Sequence, residues 1–406
     1  MIKWILRPFI DLNPCFRGPL FAQGVEYYWN AFIDPEQPQF VLQRTLPRVF
    51  RSQVLLEIGY NKHIVDDPRA LPNDLRSPRW TTLCNALADW RSLSKRTRCR
   101  LALLLHAVCF YKLIEELVPP LDGIDDLSDQ SSARLAYLRA SSSYVLSMPN
   151  RVSDYGGADL DAFVQIANSK KVHPTVGFDA SIKIFTHLAK NKGSETELVE
   201  WRERAAAFVE TMRNACSAFD LMLAESRFYR AAAFIPQIAG NKCEVARLME
   251  LAEQLAEKIN SESAAQNILR LENLHPLLES RTKEALWLGD LDAALERSQK
   301  VTVIDPFEAR GWLELGQVLM RRGELDQATE AYCTAALVGP PASAISRHMA
   351  GVCLQQRGKL AEAALMYKSA ISFDPQVISP HDQILKLPDH PVFEVIKKWS
   401  LRSAKL

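Results

Sequence analysis

The chain has 406 residues, with 49 lysines and arginines set against 48 aspartates and glutamates and 48% hydrophobic residues. This length supports a large buried core and about two to three domains. The near-zero charge balance excludes a global polyanion binder, and 16 glycines and 22 prolines are too few for collagen-like or long flexible character.

Residues 1–75 interleave Trp4, Phe9, Phe16, Phe21, Tyr27, Tyr28, Trp29 and Phe32 with Pro8, Pro14, Pro19, Pro35 and Pro38. Proline at this density argues against a long helix, and the aromatics require burial, so the segment reads as irregular chain packed on a helical body. Within it, 53–65 (QVLLEIGYNKHIV) has the pattern of a short hairpin turning at 59–62. From Trp80 onward helical periodicity takes over, with helices expected at 81–92 and 98–118, the second stopping at Pro119-Pro120. Its apolar run 101–114 contains His106 and Lys112 and falls short of the roughly 20 residues that span a bilayer, so it reads as a core helix. Further helices are expected at 131–147, 157–168, 178–190, 195–225 and 227–239.

The C-terminal third repeats itself. Gly289, Gly323 and Gly358 are spaced by 34 and 35 residues, and Ala294, Ala328, Ala363 and Pro306, Pro340, Pro375 keep the same spacing. The wording recurs with them, as LGDLDAALERSQKVTVIDP, RGELDQATEAYCTAALVGP and RGKLAEAALMYKSAISFDP. Small Gly316, Gly351, Ala328 and Ala363 let two antiparallel helices approach, Gly323 and Gly358 suit a left-handed turn between them, and proline ends the second helix. Upstream, 227–259 reads as another helix pair cornered at Gly240-Asn241, off the period because Gly240 precedes Gly289 by 49 residues. Downstream, 392–401 (VFEVIKKWSL) is an amphipathic capping helix, with Lys397 and Lys398 on its solvated face.

This pattern resembles the tetratricopeptide repeat, most specifically over 309–375. In the middle unit Trp312, Leu315, Gly316, Gly323, Ala328, Tyr332, Ala335 and Pro340 stand at the family's signature positions; in the last, Ala350, Gly351, Gly358, Ala363, Tyr367, Ala370 and Pro375 do. The first unit, 275–306, departs from the pattern: Thr282 replaces the small glycine and Pro276 lies near the start of its first helix, so a distorted or longer unit is expected. The expected fold is all-α, an N-terminal irregular and helical domain followed by a short TPR-like α-solenoid. Its expected segments are 1–75 packed on the body, 76–226 as a helical domain, 227–274 as a degenerate repeat-like pair, 275–375 as the repeats and 376–406 as the cap.

Signatures of catalysis are sparse. The chain lacks GxxxxGK[ST], GxGxxG after a strand, GxSxG, HExxH and paired Cys/His metal spacing, and its eight histidines are scattered with no pair at i, i+4. No cofactor and no metal are expected. Asp125-Asp126-Leu127-Ser128-Asp129 forms a DDxxD, the arrangement by which helical prenyl-transferring enzymes hold Mg²⁺ and diphosphate. It follows Pro119-Pro120 and Gly123 in a polar stretch, so Asp129 or Ser131 capping the next helix is the favoured reading. Arg91, Lys95, Arg96, Arg98 and Arg100, preceded by Arg76 and Arg79, form a basic cluster read as a solvated connector or ion-paired surface, with an acidic protein partner or nucleic acid as the less favoured alternatives. The eight cysteines, with no CxxC, read as buried small hydrophobes of a reduced compartment, and 1–6 is too short an apolar stretch for a signal peptide; a cytoplasmic location follows.

In arrays of this family the first helices line a concave groove. The resemblance places Glu279, Lys283, Arg310, Gln317, Arg321, His348, Gln355 and Gln356 there, a polar and partly basic set without the repeated Lys and Asn pattern that clamps C-terminal carboxylates in some relatives. The bland counterpart is a solvated face, or a groove filled by the chain's own N-terminal segment or C-terminal helix. The leading expectation is a non-catalytic adaptor or scaffold that binds a protein or peptide, with neither nucleic acid nor membrane as partner. The alternatives are an accessory subunit presenting a substrate peptide to a separate enzyme, and a helical enzyme with a Mg-diphosphate site at the DDxxD.

Overall fold

The computed structural model describes residues 19–34, 67–70, 72–76, 78–107, 110–124, 126–147, 160–306, 308–338, 343–373 and 378–403. These are helical or turn-forming, with no strand among them, and the chain is all-α. The hairpin expected at 53–65 lies outside the described residues, as do Trp4 and Asp125. Two compact units divide between Leu277 and Leu278.

The first unit begins with α1 (Pro19–Ile33), which corrects the expectation of wholly irregular chain before residue 75. The physical reason is the spacing of the prolines: Pro19 opens the helix, where its missing N–H costs nothing, and no proline recurs until Pro35. Tyr27, Tyr28, Trp29 and Phe32 are buried, as their apolar bulk requires. The basic cluster does not act as one patch. Arg79 forms a bidentate pair with Glu26 at 2.6 and 2.7 Å, Arg100 is buried with Nη1 on the Ala31 carbonyl at 3.3 Å, and Arg91, Lys95 and Arg96 are exposed.

After α2 (Pro78–Ala88), the expected single helix at 98–118 is two, α3 (Lys95–Ala107) and α4 (Tyr111–Leu117). The Phe110 N–H reaches back five residues to the Leu105 carbonyl at 2.9 Å, closing one helix before the next begins. Next come α5 (Gln130–Ser147), α6 (Asp161–Asn168), α7 (Pro174–Lys190), α8 (Glu195–Ala215) and α9 (Ala218–Ala232). The helix expected over 195–225 breaks at Cys216, whose extended backbone lets Ser217 start a new helix by accepting from the Asp220 N–H at 3.1 Å. Ala133, Ala136 and Ala140 of α5, Phe163 and Ile166 of α6, Val176, Ile184 and Phe185 of α7, and Trp201 of α8 share one core. At Gly177 a Cβ would lie 2.3 Å from the Phe208 ring, so only glycine permits the observed approach of α7 to α8.

α8 opens with a reciprocal cap: Ser194 Oγ accepts from the Glu197 N–H at 3.3 Å and Glu197 Oε2 accepts from the Ser194 N–H at 3.0 Å. Ser194→Ala is expected to cost about 1 kcal/mol in urea unfolding; an unchanged midpoint would show that the box does not contribute.

The unit closes with α10 (Phe234–Ile238), α11 (Lys242–Lys258) and the start of α12 (Ala264–Leu288). Buried Ser226 of α9 donates to the Ala252 carbonyl at 2.9 Å and accepts from Asn273 Nδ2 at 3.0 Å, tying three helices. The Gly240 corner has φ +72°, and the Asn241 N–H bonds the Pro236 carbonyl at 2.8 Å.

The second unit uses the same turn three more times. Gly289, Gly323 and Gly358 have φ of +87°, +80° and +77°. The following N–H groups of Asp290, Glu324 and Lys359 bond the carbonyls of Ala285, Leu319 and Leu354 at 2.9, 3.0 and 2.9 Å, which is the Schellman closure. Around these turns pack α12 with α13 (Leu291–Ile304), α14 (Ala309–Arg321) with α15 (Leu325–Val338), and α16 (Ser343–Gln356) with α17 (Leu360–Phe373). α12 has 25 residues with Pro276 inside it, so the first repeat has the longer first helix its sequence implied, though that helix starts well before residue 275. Thr282 takes the small-residue position by folding its hydroxyl onto the Leu278 carbonyl at 2.8 Å. Arg322 with Asp292 and Arg357 with Asp326 pair equivalent positions of successive repeats. α18 (Ile378–Leu385) and α19 (Pro391–Ser403) follow; Lys398 is exposed as expected, whereas Lys397 is held by Asp389 at 2.8 Å.

Candidate functional site

All eight expected groove residues lie on the first helices of the repeats, namely α12, α14 and α16. The helices position them through the small residues. A Cβ on Gly316 would meet the Tyr332 ring at 2.7 Å and one on Gly351 the Tyr367 ring at 2.5 Å, so each glycine seats a tyrosine of the paired helix.

The structure gathers part of the set into two groups. In the first, Lys283 Nζ pairs with Glu314 Oε1 at 2.8 Å, and the charges of Glu279 and Arg310 act on the same carboxylate. Burial and the neighbouring Glu279 push the Glu314 carboxyl above its ordinary range, against the pull of Lys283 and Arg310. Arg310 is itself exposed and bonds Glu308 at 3.3 Å. In the second group Tyr367 Oη donates to Gln355 Oε1 at 2.6 Å, and the His348 ring stands 5.7 Å from the Tyr367 ring. Burial lowers the His348 pKa and raises that of Tyr367 to about 12, so both are neutral at pH 7. Gln317, Arg321 and Gln356 are exposed and join neither group, although the Arg321 charge acts on the Tyr332 hydroxyl.

Three residues that the sequence did not single out for the groove interact with members of the expected set: Glu314 with Lys283, Tyr332 with Arg321 and Tyr367 with Gln355. The tyrosines were legible as repeat packing residues but not as polar groups, and Glu314 is identified only by Lys283, 31 residues earlier, reaching it. Glu314 Oε2, Tyr332 Oη and His348 Nδ1 are buried without a protein hydrogen-bond partner. They stand on α14, α15 and α16, and an unpaired carboxylate oxygen, phenol and imidazole each retain the capacity to accept or donate a hydrogen bond.

Of the DDxxD, the described Asp126 and Asp129 precede α5 and do not share a helix face. Asp126 Oδ1 accepts from the Ser128 N–H and hydroxyl at 2.9 and 2.6 Å, and Asp129 Oδ2 accepts from those of Ser132, both at 2.9 Å, as a cap on α5. Among the described residues, no group of three or more His, Cys, Asp or Glu side chains converges to hold a metal. Six cysteines are described as free thiols; Cys84, Cys99 and Cys353 are buried, while Cys243 is exposed, contrary to its reading as a core residue. No helix among the described residues is long and apolar enough to cross a membrane.

Residues 283–344 and 313–378 match the tetratricopeptide repeat family model, and the C-terminal region is a short array of these repeats. No curated protein matches the sequence significantly. Among solved structures, the human IFIT1 dimer with PPP-AAAA aligns with TM-score 0.53 at 13% identity, covering 94% of this chain and 92% of that one. An IFIT1 monomeric mutant with Gppp-AAAA aligns with TM-score 0.51 at 11% identity, covering 94% and 93%. YrrB, described as a TPR protein with an unusual peptide-binding site, aligns with TM-score 0.35 at 17% identity, covering 56% and 100%. The likeness is one of fold, a TPR-like helical solenoid.

Proposed function

We propose that the repeat unit is a non-catalytic binding module that holds a protein or peptide segment across α12, α14 and α16. The observation that carries this reading is the trio Glu314 Oε2, Tyr332 Oη and His348 Nδ1, buried without protein partners on the repeat helices. An unsatisfied buried polar group costs about 1–3 kcal/mol, which a ligand supplying the complementary donor or acceptor recovers. Exposed Arg310, Gln317, Arg321 and Gln356 supply a polar rim, so affinity is modest and falls with salt. A cytoplasmic scaffold is the setting that suits such a module.

The test is binding of a peptide array, and of proteins captured from native extract, by the wild type and by the variant Arg310→Glu, Arg321→Glu and Gln356→Glu. All three positions are exposed, so the fold should survive, with circular dichroism as the check. The module reading expects a defined set of ligands weakened about tenfold or more in the folded variant. An identical set bound equally well by both proteins would exclude the groove.

The expectation that nucleic acid is not a partner rested on the neutral net charge. A whole-chain balance does not report the charge of one cavity, and IFIT1, the similar fold, was solved with PPP-AAAA.

A further inference from the structure

The first unit contains a cavity of about 420 Å³ that the repeat groove does not use. Its volume is in the range of small-molecule sites. Arg134, Lys183, Lys190, Arg227 and Arg230 line it, against only Asp179 and Asp220.

The two carboxylates are already engaged. Asp179 bridges two arginines, accepting from Arg134 Nη1 and Arg227 Nη1 at 2.7 Å each, so that cluster keeps one positive charge while both guanidinium groups are held in place. Asp220 Oδ2 accepts from the Ser217 hydroxyl at 2.7 Å at the start of α9. Lys183 has no carboxylate partner among the described residues. Its ammonium sits 3.8 Å from the centre of the Tyr144 ring, and burial beside Lys190 lowers its pKa to about 8, which leaves it charged at neutral pH. His106, hydrogen-bonded to Ser141 at 3.0 Å, is held neutral by burial, its pKa pushed down to about 3.

A partly desolvated ammonium without a counter-ion, next to two immobilised guanidinium groups, carries a cost that an anion removes. The arginines are preorganised for oxygen anions with several acceptors, and Tyr28 and Tyr137 add aromatic walls suited to a flat or apolar moiety. We propose that this cavity binds a phosphate-bearing ligand, its anionic group seated among Lys183, Lys190 and the Arg134–Asp179–Arg227 cluster. The site lies wholly in the first unit and is independent of the peptide reading of the repeats.

The test uses the full chain at low ionic strength, with calorimetry and thermal shift. The probes are inorganic pyrophosphate, ATP, adenosine, and a tetraribonucleotide with a 5′-triphosphate or a 5′-hydroxyl. Phosphate recognition expects binding of the phosphorylated probes and none of adenosine or the 5′-hydroxyl oligonucleotide. The double variant Lys183→Met, Lys190→Met should weaken that binding about 10- to 100-fold. It should fold normally, because Lys183 gives up a buried charge with no carboxylate partner among the described residues and Lys190 is exposed. Exposed Lys170→Met, Lys171→Met should bind like the wild type. Binding of ATP and pyrophosphate identifies a small phosphorylated molecule, whereas binding of the 5′-triphosphate oligonucleotide alone identifies a nucleic-acid end as the source of the phosphate. Failure of every phosphorylated probe, or equal binding by the Lys183/Lys190 variant, overturns the proposal.

Discussion

Replacing Asp179 with alanine is expected to destabilise the first unit by about 3–5 kcal/mol, because it removes the one carboxylate between two arginines that cannot reach water freely. The Arg134 and Asp179 side chains are only 3% and 9% exposed, and Arg227 is 19% exposed. Burial pushes the Asp179 carboxyl up, but Arg227 and Arg134 more than offset this and hold its pKa below 3.8. With its folded pKa below the unfolded value, Asp179 stabilises the fold above about pH 4, and the contribution disappears as pH falls through the folded value. Chemical unfolding of Asp179→Ala beside Asp179→Asn measures the effect. The triple change Arg134→Met, Asp179→Leu, Arg227→Met is expected to recover most of the loss, since an all-apolar replacement leaves no charge stranded. A loss below about 1 kcal/mol in Asp179→Ala would mean that the arginines find other partners. Stability recovered by the triple variant, with phosphate binding abolished, would separate the structural role of the cluster from its proposed role as an anion seat.

In the second unit, Gly351→Val is expected to cost about 3 kcal/mol. Its Cβ would fall 2.5 Å from the Tyr367 ring, which is wholly buried and tethered to Gln355 by its hydroxyl at 2.6 Å. Neither the ring nor α16 can move without opening the repeat core around Leu354, Ala363 and Ile371. Gly358→Ala provides the contrast. No atom lies within 4 Å of its added Cβ, so only the φ of +77° is penalised, and the cost should be about 1–2 kcal/mol. Unfolding midpoints that rank Gly351→Val well below Gly358→Ala would confirm that close helix approach, more than turn geometry, sets the stability of the last repeat. Because the valine displaces Tyr367, it should also weaken ligand binding at the groove; stability lost with affinity retained would place the binding surface elsewhere.

The repeats were legible because their determinants are local. Gly323 and Gly358 announce a left-handed turn within a few residues, and the period marks Gly316 and Gly351 as points of close helix approach, though not the Tyr332 and Tyr367 rings they meet. The same locality explains the successful cap at Asp129 and the Gly240 corner. The errors fall where local signals compete. Helical periodicity continues through 195–225, yet the Ser217 cap outweighs it, and prolines before residue 40 obscured the uninterrupted stretch that forms α1.

On the first helices of the repeats, the sequence pointed to Lys283 and Gln355 but not to the Glu314 carboxylate and the Tyr367 phenol they meet. Glu314 is recognisable only through Lys283, whose reach across neighbouring repeats depends on helix packing.

The amino-acid order by itself determined an all-α chain, the repeat period, the turns and the small-residue contacts, because each is set within a helix, a turn or one packed pair. Only the tertiary structure decided that Arg134 and Arg227, 45 and 48 residues from Asp179, share one carboxylate, and that Lys183 has none among the described residues. Charges on separate helices leave no trace in periodicity; burial brings them together and turns a neutral chain into one with a cationic cavity.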